Sequence, residues 1–370
     1  MNKHKLRPSF LLVSLIVILS AVILLIMATG NEKTPSHKVG LIITGEITDS
    51  GWNGAHYNGA VSACEKLGAE LIVKENVTEN SGRCPEAINE LANEGAHMII
   101  LSSYSYPEEA MDTILGCPDI AFYAISSEYS ADNLTSYFGR MYQARYLSGI
   151  IAGMQTESGS IGYVAAMPNN EVNRGINAFA LGVRSVNPQA VVYVSWTDSW
   201  DNGEKEAEAA NALINNKATD VITYHQNKHY AAQTADKAGV YSIGFNENAE
   251  GLSDKYLTAA VWNWDSLYFQ IIREFMQGQP NAAERRWFSI DSGVVSLSEF
   301  SPQVSTEARQ AAETAKNRLL SGSDVFSGQI YDNCGVLKCS EGEVLSDDTL
   351  LKKMDWFVEG VEIYNEEDQR

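Results

Sequence analysis

Positive charge is scarce in this chain. Its 27 lysines and arginines stand against 47 aspartates and glutamates, a formal net charge of −20 over 370 residues. A net anion repels nucleic acid and anionic lipid unless a local basic patch overrides the repulsion, and no such patch lies outside the amino terminus. Nucleic acid is therefore excluded as a partner. Cysteine is also sparse: Cys64, Cys84, Cys117, Cys334 and Cys339 are too few for a disulfide-built scaffold, although they fit an oxidising compartment. Low-complexity tracts and short-period repeats are missing too. With 45% apolar and 20% charged residues, the chain reads as globular, and its length suits two medium lobes, each with its own core.

The amino terminus carries Lys3, Lys5 and Arg7, then an apolar run from Phe10 to Met27 broken only by Ser14 and Ser20. A basic start before such a run directs export, either as a signal cleaved near Ala28-Thr29-Gly30 or as an uncleaved membrane anchor. In both cases the chain from about Asn31 onward lies outside the cytoplasm, membrane-associated or secreted.

Beyond it, short β-branched runs alternate with helical patterns. Val39–Ile43, Glu70–Val73, Met98–Leu101 and Ile120–Ile125 read as strands. The pattern repeats at Ile161–Ala165, Val191–Val194, Val221–Tyr224 and Tyr241–Gly244, with helices predicted at Val172–Val186, Gly203–Asn215 and Tyr230–Ala238. A helix over Arg140 to Met154 separates the halves. A strand at Leu257–Val261 and helices at Ser266–Met276 and Thr306–Leu320 follow. Such alternation implies βαβ units and a parallel sheet in each half. The expected fold is thus α/β: two lobes, each with a mainly parallel sheet flanked by helices, hinged around an interlobe ligand cleft. The expected division is 1–30 as signal or anchor, 38–138 with 254–280 as the first lobe, and 139–250 with 284–363 as the second.

Parallel sheets bind ligands where strands end and helices begin. Right after the first strand comes Thr48-Asp49-Ser50-Gly51-Trp52-Asn53-Gly54-Ala55-His56-Tyr57-Asn58-Gly59. An acid, an indole, an amide and an imidazole at one strand end suit a flat, hydrogen-bonding small molecule better than a phosphate. Trp52 can stack on such a ring, and Asn53 and Asp49 can read its edge. Asp49 or Ser50 could equally cap the following helix, and His56 either lines the cleft or fills space behind it. In the second half, Trp196 and Trp200 frame a loop in which one of them is structural, and His225-Gln226-Asn227 follows another strand. His225 and His229 have metal-pair spacing but no third ligand, so no metal or cofactor is expected. Trp262 and Trp264 alternate and should point to opposite faces if the strand continues. Cys334 and Cys339 flank a short turn that a disulfide is expected to close, and the other three cysteines read as buried apolar residues.

Several segments together resemble the basic membrane protein family, the PnrA-like substrate-binding proteins of ABC transporters. The first loop aligns without gaps from Asp49 to Gly59 with the family's Asp-Lys-Ser-Phe-Asn-Gln-Ser-Ala-Trp-Glu-Gly. Tyr137-Phe138-Gly139-Arg140, Tyr146-Leu147-Ser148-Gly149, Arg174-Gly175-Ile176-Asn177, Tyr241-Ser242-Ile243-Gly244-Phe245 and Met354-Asp355-Trp356-Phe357 are similar as well. The resemblance runs from about Lys38 to Ile363. It implies a type I periplasmic-binding-protein fold and a non-catalytic protein that closes over a purine base or nucleoside and delivers it to a permease, as a monomer. Asn246 stands where the family often has Asp, and Trp262 where it often has Lys, which shifts the expected ligand from ribose-driven recognition toward the base. No cysteine precedes Cys64, so thioether lipidation, common in the family, is not expected. The full expected ligand set is Asp49, Trp52, Asn53, His56, Ser103, Tyr104, Arg140, Asn177, Trp200, His225, Asn246 and Trp262. A membrane-anchored sensor and a nucleoside-processing enzyme are the alternatives. For the enzyme, Asp49, Glu247 and Asp265 are scattered over separate loops, and no Gly-x-Ser-x-Gly or Asp-x-Asp cluster occurs in the proposed loops.

Overall fold

Two sheets organise the chain in a computed structural model that describes residues 37–49, 51–249, 251–278 and 285–365. The first half runs β1 (Lys38–Ile42), α1 (Trp52–Leu67), β2 (Glu70–Lys74), α2 (Arg83–Asn93), β3 (Met98–Leu101), α3 (Tyr106–Gly116), β4 (Ala121–Ile125) and β5 (Leu134–Gly139). Next come α4 (Met141–Gln155), β6 (Ser160–Ala165), α5 (Asn170–Val186), β7 (Val191–Trp196), α6 (Gly203–Lys217), β8 (Val221–His225), α7 (Tyr230–Lys237), β9 (Tyr241–Asn246) and β10 (Tyr256–Trp262). The remainder is α8 (Trp264–Met276), β11 (Arg286–Phe288), β12 (Val295–Leu297), α9 (Thr306–Leu320), the pair β13 (Ile330–Tyr331) and β14 (Leu337–Cys339), α10 (Asp347–Lys352) and β15 (Val361–Ile363).

The first sheet has the order β11-β5-β4-β3-β1-β2, and the second β12-β10-β9-β8-β6-β7-β15. Every pairing in them is parallel except that of β10 with β12. Central strands such as β3 and β8 are buried along their whole length, as strands covered by helices on both faces must be. Local sequence explains the helix starts: Asn169, Asn202, Ser305 and Ser346 each accept a backbone N–H from the first turn of the helix that follows. The position before α1 is Gly51, which has no side chain to cap with.

The chain crosses between sheets three times, at Arg140, at Asn263 and across residues 289–294. Backbone bonds tie the crossings together, Arg140 N–H to the Phe288 carbonyl (2.7 Å) and Asn263 N–H to the Val294 carbonyl (2.8 Å). This corrects the expected lobe division. The strand Tyr256–Trp262 belongs to the second sheet, and Arg286–Phe288 completes the first, because the second crossing falls at Asn263 and the third only after Phe288.

The expected disulfide is also corrected, since Cys334 and Cys339 are both free thiols. Cys339 pairs across the hairpin with Ile330 and is buried, its sulfur toward the Phe326 carbonyl, whereas Cys334 is exposed in the turn with its sulfur toward Asn333. Asp332 organises that turn instead. Its Oδ1 accepts from Cys334 N–H (2.9 Å) and Val336 N–H (2.8 Å), and its carboxylate pairs with Lys338 (3.2 Å). Among the described residues no helix is long and apolar enough to cross a membrane. The amino-terminal apolar run lies outside the described residues.

Candidate functional site

A cavity of about 310 Å³ opens between the two sheets. Strand ends of the first sheet and the loops after them supply Thr44, Trp52, Ser102, Ser103, Tyr104, Ile125, Ser126 and Phe138. The second contributes Trp200, His225, Asn227, Phe245 and Trp262, and Glu79, in a loop, and Glu171, in the first turn of α5, complete the lining. No lysine or arginine is among them.

Aromatic rings form a continuous wall. Trp52 meets Trp264 edge-on at 5.4 Å, Trp264 stacks on Trp262 at 4.7 Å and 18°, and Trp262 leans on Phe138 at 4.8 Å. The two tryptophans therefore do not face opposite ways. The strand ends at Trp262 and Trp264 starts α8, so the turn between them brings the indoles face to face. Across the cavity His225 lies 4.0 Å from Phe245 and 5.9 Å from Trp200, ring centre to ring centre. Trp196 turns away toward Phe357.

Six of the twelve expected ligand residues line this space: Trp52, Ser103, Tyr104, Trp200, His225 and Trp262. The structure gives the others different work. Asn53 spends its amide on the loop before it: Oδ1 accepts from Thr44 N–H, the Thr44 hydroxyl and Gly45 N–H (3.0, 3.0 and 3.1 Å), while Nδ2 donates to Asp49 (3.1 Å). Asp49 forms an ion pair with Lys228 of the second lobe. Burial raises its carboxyl pKa, but the hydrogen bonds from Lys228 and Asn53 outweigh burial and hold it below the usual range. Arg140 makes a fork to Asp347 at the first crossing (2.8 and 2.6 Å) and lies 4.2 Å over the Trp287 ring. Asn177 holds the carboxyl-terminal segment, donating to the Trp356 carbonyl and accepting from Val358 N–H (both 2.9 Å). Asn246 is buried beside the cavity, in a left-handed backbone conformation (φ 74°) that asparagine tolerates.

His56 sits behind the aromatic wall, fully buried, bonded to the Tyr268 hydroxyl and packed 4.1 Å from Trp264. Burial pushes its pKa from 6.5 down to about 3. The folded protein keeps this ring neutral where the unfolded chain protonates it. Its contribution is therefore intact above pH 6.5 and is lost progressively as the pH falls from 6.5 toward 3. At pH 5 the loss is about 2 kcal/mol for this histidine. Urea unfolding of wild type and His56→Phe at pH 7.5 and pH 5 should show the wild type losing that much more than the variant, and equal losses would remove the assignment.

His229 does not join His225. Its Nδ1 bonds the Tyr224 hydroxyl (2.8 Å) and its Nε2 faces Glu247 (3.5 Å). Among the described residues no three His, Cys, Asp or Glu side chains converge as a metal site. Outside the expected set, the lining also takes Thr44, Ser102, Ile125, Ser126, Phe138, Phe245, Glu79 and Glu171, which sequence reasoning missed, and Asn227, which it named only as part of the run after β8. Phe138 and Phe245 lay inside matched motifs, one residue before a Gly and an Asn that end strands, and that strand-end position was the available signal. Burial, against the pull of Arg174, holds the Glu171 carboxyl above its usual range.

Comparison with known proteins agrees with this geometry. Residues 36–325 match the family of ABC transporter substrate-binding proteins described as PnrA-like. A purine-binding protein of Brucella abortus is 32% identical over 88% of this chain and 93% of its own length. A Haloferax volcanii protein, provisionally named as an ABC transporter glucose-binding protein, is 34% identical over 86% of this chain and 78% of its own length. Among solved structures, an ABC transporter solute-binding protein from Conexibacter woesei superposes with a TM-score of 0.65, covering 78% of this chain and 97% of that one at 19% identity. The chain has the type I periplasmic-binding-protein fold and belongs to the PnrA-like family of ABC transporter substrate-binding proteins, which bind solutes and are not enzymes.

Proposed function

We propose that this protein captures a purine, as the free base or a weakly held nucleoside, outside the cytoplasm and presents its closed form to an ABC permease. The observation that carries this reading is the cavity wall: rings from both lobes, Trp52, Phe138 and Trp262 on one side and Trp200 and Phe245 on the other, with no cationic residue among them. A flat heteroaromatic ring buries both faces against such walls and leaves its edge for His225, Asn227 and the serines. A hexose could use the hydroxyls and the Glu79 and Glu171 carboxylates of the lining but has no flat face to match the paired rings. Closure is built from interlobe contacts such as Asp49 with Lys228, which a ligand bound in the cleft would favour by bringing the lobes together. The Brucella relative's name supports the purine, and the Haloferax relative's name makes glucose the competitor to test. The amino-terminal apolar run supports delivery outside the cytoplasm, with the segment retained as an anchor or cleaved.

A thermal-shift series of adenine, hypoxanthine, guanosine, uracil and glucose tests it. A ligand that binds only the folded state stabilises it by about 2.7 kcal/mol at a hundred times its Kd. The purines should raise the melting temperature with the logarithm of concentration above their Kd, while uracil and glucose leave it unchanged. A shift with glucose alone would overturn the purine reading.

A further inference from the structure

The ends of three neighbouring strands in the second sheet carry polar atoms that no protein group satisfies. They are His225 Nε2 on β8, both side-chain polar atoms of Asn246 on β9, and Trp262 Nε1 on β10. The strands are adjacent in the order β10-β9-β8, and the register sets Asn246 beside Val261. These residues are 2%, 2% and 7% exposed, so solvent does not serve them. Buried polar groups without partners are rare and costly to a folded chain. Two of the three, His225 and Trp262, line the cavity, and at the ligand edge of a parallel sheet they mark a surface that the ligand itself completes.

Their chemistry has a sign. An indole nitrogen only donates. The His225 ring is kept neutral by its burial and by the nearby charges of Arg145 and Arg174. The Tyr163 hydroxyl lies 3.4 Å from its Nδ1, the one acceptor recorded for that hydroxyl among the described residues. In the tautomer in which the hydroxyl donates there, the ring proton sits on Nε2, which is then a second donor. Beneath them lies Arg145, fully buried, donating to the Thr223 hydroxyl (3.2 Å) and the Tyr224 carbonyl, its guanidinium 4.4 Å from the centre of the Phe245 ring. Among the described residues no carboxylate pairs with it. A cation buried without an anion leaves a positive potential at the floor of the cavity.

Building on the purine reading, we propose that this floor selects an oxopurine over an aminopurine. A ring carbonyl, with two lone pairs and a large partial negative charge, meets the His225 and Trp262 N–H groups. An exocyclic amine in the carbonyl's place sets donor against donor over a buried positive charge.

Calorimetry with hypoxanthine and adenine on the wild-type protein decides between them. Hypoxanthine should bind at least tenfold more tightly. Trp262→Phe and His225→Phe should each cut that preference severalfold; Trp262→Phe should not lower the melting temperature of the unliganded protein by more than a few degrees, because it removes a donor that the protein alone does not satisfy, whereas His225→Phe also takes the acceptor from the Tyr163 hydroxyl and is read on the preference alone. Adenine binding as tightly as hypoxanthine overturns the selection and leaves the purine reading standing. Failure of both bases to bind overturns both. The preference is read on the wild type, so the test does not depend on either variant folding.

Discussion

Trp52→Ala should weaken purine binding ten- to a hundredfold. Trp52 stands at the first position of α1, half-buried, with its indole N–H on the Ser102 carbonyl (2.9 Å) and its ring edge on Trp264. These contacts fix one face of the ring and leave the rest to the cavity. Stacking a base on an aromatic side chain is worth about 1–3 kcal/mol, and alanine deletes all of it. Trp52→Phe separates stacking from anchoring, because it keeps a ring but loses the bond to Ser102. Its affinity should fall between those of wild type and Trp52→Ala. Titration calorimetry on the three proteins is the measurement, and an alanine variant with wild-type affinity would remove the indole as a platform.

Gly182→Ala should destabilise the protein by about 3 kcal/mol, at the upper end of the usual cost of overpacking. Gly182 on α5 faces α4 so closely that a β-carbon would lie 2.0 Å from the Tyr146 carbonyl oxygen. The reciprocal Gly149 on α4 would place one 2.1 Å from the Phe179 carbonyl oxygen. In both cases the obstacle is helix backbone, which cannot rotate away as a side chain can, so the helices must separate and lose contact along their length. Gly116→Ala, at the end of α3 where nothing lies within 4 Å, is the control and should change stability by less than about 0.5 kcal/mol. Urea unfolding of the three proteins reads the result, and a Gly182→Ala midpoint equal to wild type would show that the helices have room to spare. α4 also carries Arg145, so the same substitution should weaken ligand binding by shifting the cavity floor.

The alternation of β-branched runs and helical spacing made the two-sheet architecture legible, because strands covered on both faces must be continuously apolar. β5 escaped. Leu134–Gly139 follows β4 through a short loop with no helix between them, so the signal expected of a parallel neighbour was missing. β11 and β12 are three residues each, too short to show a period, and they decide which lobe the late segments join. Within the site, the tryptophans Trp52, Trp200 and Trp262 were legible as ligand-facing because a large ring at a sheet edge has few other places to go, whereas Phe138 and Phe245 were passed over and Trp196 turns to Phe357. Of the expected polar ones, Ser103 and His225 reach the cavity and the amides and Asp49 do not. Asn53, Asp49 and Asn177 carry the right functional groups, but a sequence cannot show whether an amide meets a ligand or braces its own loop, and the hydrogen bonds that decide it for Asn53 come from Thr44 and Gly45. Cys334 and Cys339 misled for a related reason: proximity along the chain does not reveal that one thiol faces the core and the other the solvent.

The placement of Phe138 and Trp262 has a mechanical consequence. Each sits one or two residues before a crossing, Arg140 or Asn263, so the two rings lie almost on the pivot of the proposed closure. The Asp49–Lys228 pair joins loops after β1 and β8, three strands from β5 and two from β10, about 10–14 Å away at the usual strand spacing. A ligand wedged against the two rings therefore works on a short lever arm. A displacement of a fraction of an ångström at the fulcrum becomes a swing several times larger at the rim, so a small flat molecule can steer two whole lobes.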